Sequence, residues 1–159
     1  MTIHSELEDL TTAGARRALA GLPRCDYEVV IQRLRYRTGP HLAALCDFDG
    51  RTITLQVPRP FRASKEPVFY GARRRRGSGM RFSWLSESVA FRSRRDVLRF
   101  LYLYEWMHWY LHEVLKKGSS AETACDRFAL RNFRRQRVTT HDADAALARR
   151  ARTPARRAA

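Results

Sequence analysis

Apolar residues recur along this chain at two periods, and each period predicts a different element. Leu7, Leu10, Ala15, Leu19 and Leu22 fall at helical spacing and predict a helix over residues 5–22, closed by Pro23. Residues 27–36, rich in Val29, Val30 and Ile31, read as a strand. The cleanest alternation sets Ile53, Leu55 and Val57 against Thr52, Thr54 and Gln56, the mark of a strand with one buried face. It pairs in expectation with residues 42–48 as a hairpin. Asp49-Gly50 lies between them, and glycine supplies the positive φ of a tight turn. Pro58 and Pro60 end the second strand.

Residues 62–79 read as a surface excursion that carries Arg73-Arg74-Arg75-Arg76, a basic run followed by Gly77-Ser78-Gly79. Residues 81–91 predict one more short strand. Over residues 94–117, Val97, Phe100, Leu101, Tyr104, Met107, His108, Leu111 and Leu115 form one apolar stripe of a long helix. Arg95, Arg99, Trp109, Tyr110 and Glu113 lie mainly on its other sides. Gly118 is placed to end this helix, and a second helix is predicted over residues 120–137. From residue 139 the chain is rich in Ala and Arg and contains Pro154, the composition of a mobile basic tail. The expected organisation is one domain over residues 1–138 and a flexible tail over residues 139–159.

A chain of 159 residues with 44% hydrophobic content supports one modest core. Its longest apolar runs are broken by Arg99, Glu105 and His108, so no membrane span is expected. The acidic N-terminus lacks a signal-peptide profile, and a cytoplasmic location is expected. Cys25, Cys46 and Cys125 are widely spaced with no C-x-x-C, which reads as three reduced thiols. The net charge of +15 comes almost entirely from arginine. Such a field attracts polyanions without specifying them, and an arginine-favouring coding bias explains the composition equally well. Candidate phosphate contacts are Arg73, Arg74, Arg75 and Arg76, with Lys116, Lys117, Arg131, Arg134, Arg135 and Arg137. Without a helix-turn-helix, zinc-finger or RNP-type signature, nucleic-acid binding would be electrostatic and steeply salt-dependent.

The segment Tyr104-Glu105-Trp106-Met107-His108 is an H-E-x-x-H pattern with tyrosine in the first place. In that pattern two histidines one turn apart reach a single zinc ion, and the glutamate activates the metal-bound water. Here Glu105 takes the place of the base and His108 that of the second ligand. Glu122, beyond the helix end at Gly118, takes that of the third. Asp126, one turn after Glu122, is placed to orient His108.

Residues 94–133, with Y-E-W-M-H and then S-A-E-T-A-C-D-R-F-A-L, resemble the core of small zincin-like metallopeptidases, nearest to glutamate-ligand zincins and SprT-like proteins. The resemblance implies an α+β fold in which a small antiparallel sheet packs on a long active-site helix. It also implies a zinc cofactor, a peptide substrate and, for SprT-like members, an association with DNA. Tyr104 departs from the family pattern. A phenol with a pKa of about 10 is a weak zinc ligand at neutral pH, so hydrolysis is expected to be weak or absent. Glu105, His108 and His112 offer a shifted site on one helix face, but Trp109 then stands where the base belongs.

Each residue also has a plainer reading. His108 reads as a hydrogen-bonded core histidine and Tyr104 as a core aromatic. Ser119-x-x-Glu122 is a capping box that needs no metal. Trp106, Trp109 and Tyr110 either pack under the N-terminal helix or form a partner surface. The expected function is a peptidase-like protein, with a nucleic-acid-binding scaffold as the alternative. The sequence does not reveal its oligomeric state.

Overall fold

The computed structural model of the chain describes residues 1–35, 42–74, 82–117 and 121–151. Strand β1 (Ile3–Ser5) and helix α1 (Thr12–Ala18) are followed by β2 (Glu28–Arg33), β3 (Ala43–Asp47) and β4 (Thr52–Val57). These strands form one sheet in the order β1-β2-β4-β3. The β1–β2 and β2–β4 pairs are parallel and only β3–β4 is antiparallel. Strands β5 (Ser64–Arg74) and β6 (Phe82–Phe91) form a separate antiparallel pair. Helix α2 (Arg94–Trp109) runs into a π-helical turn (Tyr110–Val114), followed by α3 (Glu122–Asn132) and α4 (Thr140–Ala151). The fold is a mixed α+β arrangement. No helix among the described residues is long and apolar enough to cross a membrane.

Burial explains the arrangement. Val29 and Ile31 of β2 and Ile53, Leu55 and Val57 of β4 are fully buried, as alternation predicts. They meet α2, which packs on β3 and β4 on one side and on α3 on another. Ten of the sixteen residues of α2 are buried, so it is a central helix rather than one with a single apolar stripe. Trp106, Trp109 and Tyr110 belong to this packing. Trp106 stacks on Tyr110 with ring centroids 5.0 Å apart and donates to the Arg24 carbonyl at 3.2 Å. Trp109 donates to Asp26 at 3.0 Å.

Several expectations are corrected. The predicted helix over residues 5–22 shrinks to α1, because Ser5 pairs with Ile31 in a strand and the Thr11 side chain caps the helix by accepting from Gly14. The main sheet is mixed, not antiparallel, since β4 returns between β3 and β2. In the hairpin turn the positive φ belongs to Arg51 (52°), not to Gly50. A Cβ at Gly50 would lie 2.6 Å from the Asp47 carboxylate, which accepts from the Asp49 and Gly50 amides and would have to turn aside. The supposed excursion contains β5, an eleven-residue strand. Pro67 is tolerated because, among the described residues, β5 pairs with β6 alone and so keeps a free edge. The segment expected as a flexible tail contains α4, anchored by fully buried Ala143 and by Tyr110, which donates to Asp144 at 2.8 Å. All three cysteines are buried and unpaired, as expected.

Candidate functional site

The packing of α2 on α3 brings three of the predicted site residues together. Tyr104 and His108 stand one turn apart on α2, their ring centroids 4.9 Å apart and nearly perpendicular. Glu122 is the first residue of α3, and its Oε2 receives the Tyr104 hydroxyl and lies 3.6 Å from His108 Nε2. Ser119, the partner in the alternative capping box, lies outside the described residues, and the N-cap position of α3 is Ala121 with no side-chain cap. Glu105 is only 4% exposed, and the Cys46 backbone in β3 favours its charged form against burial.

Burial governs the protonation of this cluster. Burial and then the charge of Glu122 push the Glu105 carboxyl up to about 8. The same two causes raise Asp126 to about 6. Burial holds His108 below the ordinary histidine value against the opposing attraction of Glu122. Burial and the hydrogen bond to Glu122 drive the Tyr104 phenol far above the usual tyrosine range. At neutral pH the cluster therefore holds a largely protonated Glu105, a neutral His108 and a phenolic Tyr104.

A protein zinc site needs three or four donors. Among the described residues no group of three or more His, Cys, Asp or Glu side chains is placed to hold a metal ion. His108 and Glu122 offer two, and the Tyr104 hydroxyl is a proton donor to Glu122 rather than a free ligand. These residues do not fit a resident zinc. The shifted set does not form either. His112 stacks on Phe48 with centroids 4.0 Å apart and places Nδ1 3.4 Å from Glu113. Glu113 in turn accepts from Tyr27 at 2.6 Å. The carboxylate beside His108 is Glu122, not Asp126, which instead lines the neighbouring cleft.

That cleft, about 590 Å³, has a floor of Phe100, Leu101, Tyr104 and Glu105 from α2, with Asp126 beside them. Leu42, Ala43 and Ala44 line one wall and Glu66, Pro67, Val68 and Phe69 the other. Side chains of a strand alternate in direction, so consecutive residues line a cavity only along a strand edge. The cleft therefore runs between the outer edge of β3 and the free edge of β5. Sequence reasoning missed Glu66 and this second wall, because nothing local marks residues 64–74 as a strand.

The candidate phosphate contacts separate. Arg134 lines a second groove with Arg92, Arg127 and Arg131. Spacing of i, i+4 and i+7 for Arg127, Arg131 and Arg134 was the signal for that row. Arg135 instead donates to Asn132 at 2.9 Å and to Asp142 at 2.7 Å, a structural role. Lys116 lies 3.4 Å from Glu113. Arg73 and Arg74 end β5, while Arg75 and Arg76 lie outside the described residues. No protein-family model, curated protein or solved structure matches this chain.

Proposed function

We propose that the chain is a zincin-like protein that binds extended peptides and has weak or no hydrolytic activity. The observation that carries this reading is the cleft between the β3 and β5 edges with Glu105 on its floor. A peptide laid along a strand edge gains main-chain hydrogen bonds, while pockets beside it select alternate side chains. The small Ala43 and Ala44 leave room along β3, and Leu42, Val68, Phe100 and Leu101 offer apolar contact. Asp126 favours a peptide bearing lysine or arginine.

The zincin likeness is supported by the approach of His108 to Glu122 between two packed helices, with Glu105 on the first of them beside an edge strand. Weak or absent hydrolysis follows from the incomplete donor set and from a Glu105 that is protonated at neutral pH.

Two variants test the reading. The Arg51 and Val57 carbonyls bond to β2 and its end, so Ile53 and Leu55 face β2 as well, and their partners Cys46 and Ala44 turn their amides away from β4. Ala44→Pro thus removes a donor from the open edge and leaves the β3–β4 pairing in place. It should weaken binding of a labelled, unfolded basic peptide at least about tenfold in fluorescence anisotropy, while the circular dichroism spectrum is unchanged. Unchanged affinity would remove the peptide reading. Tyr104→His should raise zinc affinity and create proteolysis of a denatured substrate that Glu105→Gln then abolishes. If Tyr104→His does neither, the zincin likeness is an accident of spacing.

A further inference from the structure

A second groove of about 660 Å³ runs along β6, where Glu87, Ser88, Val89 and Ala90 line it in succession opposite α3. Arg92, Arg127, Arg131 and Arg134 line it together with Glu87. The guanidiniums are set by the hairpin itself. The β-bulge between Phe69 and Gly71 takes Tyr70 out of the ladder, and Arg127 donates twice to its carbonyl, at 3.1 and 3.3 Å. Arg134 donates to the Ala90 carbonyl at 2.6 Å and lies over the Phe133 ring at 4.8 Å. These are neutral partners, so Arg134 is positioned without losing its charge. Arg92 and Arg131 are exposed, and neither side chain has a carboxylate partner among the described residues.

We propose that this groove binds phosphate groups carried on a nucleic-acid strand. Guanidinium matches phosphate in planar, paired hydrogen bonds. At a rise of about 1.5 Å per residue, Arg127, Arg131 and Arg134 form a row about 10 Å long, more than one phosphate occupies. The chain's charge of +15 adds a long-range field that gathers polyanions. An acidic peptide added as a strand is disfavoured, because Arg134 already occupies the Ala90 carbonyl on the β6 edge. The groove is separate from the cleft, and its chemistry is independent of how the cleft functions.

The test uses the full chain and a labelled oligothymidylate in fluorescence anisotropy over a range of salt. The double variant Arg92→Gln/Arg131→Gln removes two exposed charges that hold no fold contact. Arg16→Gln/Arg17→Gln removes the same charge from the exposed surface of α1. The groove variant should weaken binding at least about tenfold and lower the salt slope by about two, while the α1 variant changes affinity less than about twofold. Equal losses in both variants would overturn the proposal in favour of diffuse charge attraction. No binding, or no loss in the groove variant, would overturn it outright. Inorganic phosphate should compete only at concentrations far above the oligonucleotide. Competition at matched concentration would assign the groove to a single free phosphate instead. Polyglutamate binding as tight as the oligonucleotide, with the same sensitivity, would assign it to acidic peptides.

Discussion

Arg99 should be the most costly single side chain to remove. It is 1% exposed, on the central helix, with no carboxylate at ion-pair distance among the described residues. Instead it donates to four backbone carbonyls: Phe133 at 2.7 Å, Ala20 at 2.9 Å, Ala18 at 3.1 Å, and Arg135. These carbonyls belong to the C-terminal ends of α1 and α3, where helices leave acceptors without partners and carry negative partial charge. Burial lowers the Arg99 value, yet a guanidinium stays charged at neutral pH. One cation thus closes two helix ends and locks α2 to α3, the contact that brings Tyr104 and His108 to Glu122. Arg99→Met keeps much of the volume but none of the donors. Each buried carbonyl left unsatisfied costs about 1–3 kcal/mol. Ala20 and Arg135 are exposed residues whose carbonyls water can reach, so the expected loss is about 3–4 kcal/mol, not the sum of four bonds. Arg99→Lys, with three donors and no planar fork, should lose about half as much. Urea unfolding followed by circular dichroism at pH 7 reads both values. A loss below about 1 kcal/mol in Arg99→Met would refute the clamp.

Because the Glu105 value is raised to about 8 in the fold, the native state holds a proton that the unfolded chain releases above about 4.5, and stability should fall as pH rises through that window. Glu105→Gln should flatten this decline relative to the natural protein in urea unfolding at pH 5 and pH 8.5; parallel declines would show that Glu105 is not the group responsible. Gly21 has φ of 78° and a Cβ there would lie 2.1 Å from the Gln136 carbonyl, so Gly21→Ala should cost more than about 2 kcal/mol, and a neutral effect would show that the Gly21–Gln136 approach is loose. Burial pushes the Cys46 thiol up to about 12, and Cys25 and Cys125 are buried too, so a thiol reagent should label the native protein slowly and the urea-unfolded protein fully. Fast labelling of the native chain would contradict this burial.

What the sequence determined by itself was local. Alternation in Ile53, Leu55 and Val57 gave the buried face of β4, and the tyrosine at 104 exposed the incomplete metal motif, because each depends on residues within a few positions. The spacing of Glu105 and His108 on one helix was legible for the same reason. Tertiary structure decided the rest. Whether strands pair parallel or antiparallel depends on partners far apart in the chain, and one register slip exchanges the faces of a strand. The sequence therefore could not place β4 between β2 and β3, nor show that Glu66 and Pro67 belong to a strand facing the cleft. It marked Arg99 as lying off the apolar stripe, yet burial on all sides made that arginine a clamp between helix ends. It proposed His112 as a second ligand, but packing turned that ring onto Phe48 and left His108 to face Glu122. Spacing along a helix fixes which side chains share a face; only the elements packed against that face decide whether they meet a ligand, a partner or the core.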